Sequence, residues 1–131
     1  MGPSTPLRPT ALVVEDDADQ RFLVAALLEE TGFTVVECES ADAAMIVLEK
    51  VGDRIAMVFS DIRLPGTLDG VDLAQVVHDR FPEITMIVTS GSPGTRLDDL
   101  PCEATYMAKP WLAINILTEA ERSMDRQHRA H

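Results

Sequence analysis

Basic residues are scarce in this chain: 11 Lys and Arg stand against 22 Asp and Glu, a net charge of −11. A surface this acidic is repelled by nucleic acid and by anionic lipid, which removes direct nucleic-acid binding and membrane-surface binding from the candidate functions. Cysteine is scarcer still. Cys38 and Cys102 stand alone, neither in a CxxC pair nor beside a histidine at metal-ligand spacing, and both read as packed free thiols. Long apolar runs are missing as well: the longest, Phe22 to Leu28, falls far short of the roughly 20 residues that span a bilayer. The opening stretch, Met1 to Thr10, has no apolar h-region. A cytoplasmic protein is expected.

What the chain does have is enough apolar material for one core, with 46% of its 131 residues hydrophobic. Short β-branched runs begin at Ala11 (ALVV), Thr34 (TVVEC), Ile55 (IAMVFS), Thr85 (TMIVT) and Ala104 (ATYMA) and predict five strands. Between them lie helical patterns: Asp19 to a closing Gly32, a Ser40 cap to a closing Gly52, and Gly70 to Phe81 before Pro82. A further helix, about Leu112 to Arg126, places Leu112, Ile116, Ala120 and Met124 on one face. Strands alternating with helices at this spacing predict an α/β fold, a doubly wound parallel sheet with helices on both faces. Residues 1–9 and 127–131 are expected to be flexible ends around a single unit, 10–126. The chain has no internal repeat.

In such a sheet the carboxyl ends of all strands open onto one crevice. Strand one ends in Glu15, Asp16 and Asp17, strand three in Asp61, strand four in Thr89 and Ser90, and strand five in Lys109 followed by Pro110. In the order 2-1-3-4-5, one of the two common doubly wound orders, strands one and three are neighbours and their acids face each other. Crowded carboxylates raise each other's pKa values unless a cation intervenes, and all-oxygen ligands suit a hard divalent ion. Glu15, Asp16 and Asp61 therefore read as a magnesium site, whereas Asp17 and Asp19 read as acids favouring the start of a helix.

With these residues in place, the chain resembles the CheY-like receiver domain of bacterial two-component response regulators over roughly Thr10 to Arg126. The resemblance is carried by the acidic pair Glu15 and Asp16, by Asp61 with Pro65 four residues on, by Asp69-Gly70, by Thr89, and by Lys109-Pro110. It implies a flavodoxin-like sheet and a phosphoacceptor role for Asp61. The donor would be a phosphohistidine of a sensor histidine kinase or histidine phosphotransfer protein, and the output a downstream protein target. It further implies Mg²⁺, with Mn²⁺ as an alternative, bound directly by Asp16 and Asp61, through water by Glu15, and by the backbone carbonyl of Arg63. Lys109 would pair with the phosphoryl oxygens, and Thr89 would donate its hydroxyl to them. Tyr106 would be an aromatic switch, and Lys109-Pro110 a cis bond. The expected product is a switch rather than an enzyme, limited to self-phosphorylation from small donors and slow self-dephosphorylation, in a monomer or weak dimer. A carboxylate nucleophile forming an acyl phosphate suits this chemistry, which needs mainly positioning and neutralisation of charge.

Other readings compete. Taken singly, Thr89 is an ordinary strand residue, Lys109 a surface lysine and Tyr106 a half-buried strand tyrosine; convergence at one edge singles them out. His78, His128 and His131 read as solvated side chains. The DxD of Asp17 and Asp19 is similar to that of haloacid-dehalogenase-like phosphatases but lies beyond the strand end. A flavodoxin-like FMN carrier would meet phosphate with the repelling acids Glu15 to Asp17. A receiver-like module acting by protein contact alone differs in failing to take label from acetyl phosphate.

Two departures from the family pattern stand out. The stretch between Asp61 and Asp69-Gly70 is one residue longer than usual, with Arg63 as a large cation beside the acceptor. Where a fourth receiver helix belongs, Gly91 to Ala104 carries Gly91, Pro93, Gly94 and Pro101, so only an irregular segment or a turn or two of helix is expected. With chiefly Leu97 and Leu100 to anchor it, this segment is expected to be mobile and to become ordered on activation.

Overall fold

The computed structural model describes residues 8–92 and 96–130. Five strands, β1 (Thr10–Val14), β2 (Thr34–Cys38), β3 (Ile55–Asp61), β4 (Thr85–Ser90) and β5 (Thr105–Ala108), form one parallel sheet in the order β2-β1-β3-β4-β5. Four helices, α1 (Ala18–Thr31), α2 (Ala41–Val51), α3 (Gly70–Arg80) and α4 (Ala113–Ala130), cover its two faces. The fold is the flavodoxin-like, CheY-like arrangement expected.

Alternation along β1 shows why both faces are covered. Leu12 and Val14 enter a core shared with Ala44 and Leu48 of α2 and Val71 and Val77 of α3, while Ala11 and Val13 enter one shared with Val24 and Leu28 of α1 and Ile116 and Ala120 of α4. Successive strand side chains point to opposite faces, so a central strand apolar from Ala11 to Val14 needs helices on both sides. Among the described residues, no helix is long and apolar enough to cross a membrane.

Local chemistry sets the helix starts. The Asp17 side chain accepts from the Gln20 N–H at 2.9 Å, Ser40 from Ala43 at 3.1 Å, and Asp69 and Asp72 form a reciprocal capping box at 2.9 Å each way. Gly32 ends α1 at φ 109°. Gly52 closes α2 as expected, but in a right-handed conformation. Its φ is −55°, and it opens a short 3₁₀ turn, Gly52–Arg54, at a point where a side chain would run into the Phe81 ring.

Both ends of the last helix and the placement of one cysteine depart from the expectation. The last helix starts at Ala113 and continues to Ala130, so residues 127–130, expected in a flexible tail, are helical. Leu112 precedes this helix and is exposed, leaving Ile116, Ala120 and Met124 to face the core. Cys102, expected to be packed, is exposed, while Cys38 is buried. The segment after β4 is irregular as expected: of its described residues only Leu97–Asp99 form a 3₁₀ turn, and Pro93 and Gly94 lie outside the described residues.

The segment is nevertheless tied to α3. The Arg96 guanidinium reaches Asp69 at 3.1 Å, Asp72 at 3.0 Å and Asp99 at 3.1 Å, the Gln75 amide donates to the Asp99 carbonyl at 3.0 Å, and Leu97 and Leu100 pack against the core.

Candidate functional site

The strand register delivers the site. Asp61, the last residue of β3, lies beside Thr89 of β4, and the preceding Ser60 pairs with Val14 of β1, which places Glu15 just past the neighbouring strand end. On the far side, Lys109 follows β5 and donates its backbone N–H to the Ser90 carbonyl at 3.0 Å. Four chain segments distant in sequence therefore meet at one edge of the sheet, as expected for a doubly wound fold.

Lys109 is the hub. Its ammonium lies 2.8 Å from Asp61 Oδ2, 3.2 Å from Glu15 Oε1 and 2.8 Å from Gln20 Oε1. Burial pulls the Lys109 pKa down, but the hydrogen bond and charge of Asp61, with those of Glu15, outweigh it, and the net shift is upward. The Lys109-Pro110 bond is cis, as expected.

Glu15 is 5% exposed. Its Oε2 accepts from the Asp17 N–H at 3.2 Å. Burial is the main cause that pushes its pKa up; the Asp17 hydrogen bond and Lys109 pull against this, while Asp61 and Asp16 add to it. Asp61 is 9% exposed, and its Oδ1 accepts from the Arg63 N–H at 3.2 Å. Thr89 is 1% exposed, and its hydroxyl has no hydrogen-bond partner among the described residues. A buried hydroxyl left without a partner costs free energy, so Thr89 stands ready for an acceptor beside Asp61.

The other expected residues fall around this centre. The Arg63 side chain is exposed while its backbone lies against Asp61. Tyr106 is partly exposed and donates its hydroxyl to the Ser90 carbonyl at 3.2 Å. The lengthened loop is anchored to α2 through Thr67, whose hydroxyl and N–H both bond to Asp42. His78, read as solvated, has Nδ1 3.2 Å from a Glu103 carboxylate.

The expected carboxylate trio is not preassembled as a metal cage. Among the described residues, no three His, Cys, Asp or Glu side chains form a group that could hold a metal ion. The physical reason is visible in the contacts: Lys109 bonds both Glu15 and Asp61, and Asp16 is exposed. The donor chemistry still fits a hard divalent cation, since Glu15 and Asp61 share the single Lys109 ammonium and the Asp61 charge adds to the burial that pushes the Glu15 pKa up.

Two residues went unread in the sequence. Arg21, buried in the second turn of α1, donates to the Glu15 carbonyl at 2.9 Å and pairs with Glu37 at 3.2 Å, fixing the backbone at the acidic turn. Gln20 touches Lys109 directly. The signal for both was a polar residue in the first turns of the helix that begins at the acidic strand end. A third requirement is steric: a Cβ on Gly70 would collide with the Asp61 carbonyl oxygen and come within 2.8 Å of Ile62 Cα, while the Gly70 N–H donates to the Ile62 carbonyl at 2.8 Å. The glycine of Asp69-Gly70 lets α3 begin directly against the backbone of Asp61.

Comparison with known proteins agrees with this geometry. The family model for the response regulator receiver domain matches residues 11–124. The C4-dicarboxylate transport transcriptional regulatory protein DctD of Rhizobium meliloti is 30% identical over 127 residues, covering 91% of this chain and 26% of that protein. The receiver domain of NtrX from Brucella abortus superposes with a TM-score of 0.76 at 30% identity, covering 88% of this chain and 98% of that one. The signal receiver domain of an HD domain-containing protein from Pseudomonas fluorescens shares the fold, with a TM-score of 0.81 at 24% identity over 94% and 99% of the two chains. This chain spans about a quarter or less of the length of the first of these relatives. With the sheet order, the acidic strand ends and Lys109-Pro110 all in agreement, the chain belongs to the response regulator receiver domains of two-component systems.

Proposed function

We propose that Asp61 is a phosphoacceptor, taking a phosphoryl group from a phosphohistidine of a sensor kinase or histidine phosphotransfer protein, and that the resulting change controls a downstream protein. The observation that carries this reading is the pairing of Asp61 with two groups suited to a phosphoryl dianion: the Lys109 ammonium at 2.8 Å and the buried, unpartnered Thr89 hydroxyl on the adjoining strand. In transfer, an oxygen of the Asp61 carboxylate attacks phosphorus as the bond to the imidazole nitrogen breaks, and that nitrogen keeps the electron pair. Lys109 then faces the phosphoryl oxygens, Thr89 donates to one of them, and the strand-end backbone holds both in line with the acceptor. Glu15, Asp16, Asp61 and the Arg63 carbonyl would hold Mg²⁺, which when bound supplies further neutralisation of the phosphoryl oxygens. Tyr106 stands next to this change through its bond to the Ser90 carbonyl, one residue from Thr89, and is the proposed reporter.

The test is intact mass after incubation with acetyl phosphate and Mg²⁺. The native chain should gain one phosphoryl group only when the metal is present, and Asp61→Asn should gain none. Labelling that survives the substitution refutes the assignment, and a native chain that takes no label favours a module working by protein contact alone.

A further inference from the structure

Lys109 has no N–H to spare. An ammonium carries three donors, and Asp61, Glu15 and Gln20 occupy all three. If Asp61 is the phosphoacceptor, the reading on which this inference rests, Lys109 reaches a phosphoryl oxygen only by giving up one of these partners. Gln20 is the one whose loss costs least. Its neutral amide carbonyl is a weaker acceptor than either carboxylate. It is also half-buried where Glu15 is buried, so water can take the place of the lysine. Gln20 and Lys109, with Gly91, Pro110 and Trp111, line an open cleft of about 440 Å³, which leaves room for the exchange.

We propose that Gln20 is a positioning residue that holds Lys109 in the resting chain and is the partner displaced by the phosphoryl group. Its bond to Lys109 exists before transfer and not after, so it stabilises the starting state alone and slows phosphoryl uptake. Hydrolysis of the aspartyl phosphate begins and ends its rate-limiting climb with Lys109 already on the phosphoryl group. Gln20 therefore leaves that rate untouched. A residue that merely supported the fold would not separate the two rates.

The experiment compares the native chain with Gln20→Met, which keeps the length and removes the acceptor, and Gln20→Glu, which makes the acceptor a charged one. Uptake is followed over a range of acetyl phosphate concentrations with Mg²⁺, and hydrolysis is followed after the donor is removed. One net hydrogen bond corresponds to roughly a two- to tenfold change in rate, so Gln20→Met should take up phosphate faster by that factor with an unchanged hydrolysis half-life. Gln20→Glu should take it up more slowly. Beryllofluoride, a phosphoryl mimic, should bind Gln20→Met more tightly by the same factor. Native uptake in Gln20→Met, or uptake and hydrolysis changing together, overturns the proposal while Asp61 remains the acceptor. Absence of Asp61-dependent label in the native chain overturns both. If Gln20→Met fails to melt cooperatively, Gln20→Glu decides alone: native or faster uptake refutes the proposal.

Discussion

Gly70→Ala isolates the contact between α3 and the backbone of Asp61 and Ile62. The added methyl would meet the Asp61 carbonyl oxygen and the Ile62 Cα, atoms of backbone that cannot rotate aside like the end of a flexible side chain. Forcing a methyl into a filled interior costs up to about 3 kcal/mol. Against this, alanine is favoured over glycine in a helix and in limiting the unfolded chain by about 1 kcal/mol. The net loss is about 2 kcal/mol. With an unfolding entropy of about 2.1 cal/mol/K per residue over 131 residues, the melting midpoint should fall by about 7 °C. Gly91→Ala is the control, because its Cβ would meet only the Lys109 side chain at 3.6 and 3.8 Å, an ordinary contact, so its effect should stay within about 0.5 kcal/mol. Thermal unfolding followed by far-UV circular dichroism reads both. A Gly70→Ala protein that melts at or above the native temperature would refute the reasoning, because the helix would then have room to move off β3 without cost.

The pH dependence of Glu15 has a definite sign. Burial holds its folded pKa above the usual 4.5, so the fold binds this proton more tightly than the unfolded chain, and the contribution is full below the ordinary value and lost as pH rises through the raised one. The stability of Glu15→Gln relative to native should therefore increase from pH 4 to pH 7 in urea titrations, and a flat or falling difference would count against the burial argument. Arg96 supplies a separate check on the segment after β4. Arg96→Ala removes the link from that segment to Asp69 and Asp72, so amide exchange at Leu97 to Leu100 should speed up while the strands are unaffected, and high salt should reproduce part of the effect on the native chain. Unchanged exchange in that segment would show that Leu97 and Leu100 hold it without the ionic contacts.

The order of strands and helices and the edge on which the chemistry falls were legible in the sequence, because they depend on short-range patterns. Short β-branched runs define strands, Asp17 and Ser40 mark helix starts, and a doubly wound sheet sends every strand end to one side. That geometry brings Asp61, Thr89 and Lys109 to one edge. The weak segment after β4 was legible for a related reason, since glycine and proline break periodicity locally. Helix ends were less so: α4 passes Arg126 because nothing in Gln127 to Ala130 forbids a further turn.

Tertiary structure alone decided which groups are partners. Gln20 and Lys109 are 89 positions apart, and no local pattern says that an amide on α1 will complete the lysine's hydrogen bonds. The same holds for Arg21 beneath Glu15, for Arg96 across to Asp69 and Asp72, and for the bonding of Glu15 and Asp61 by one ammonium in place of a ready metal cage. Sequence determined which residue types arrive at the edge, because strand periodicity and helix length are properties of neighbours along the chain. Only packing decided their distances and exposure, because these depend on how closely α1 and α3 settle against the sheet, and in α3 that closeness rests on the missing side chain of Gly70.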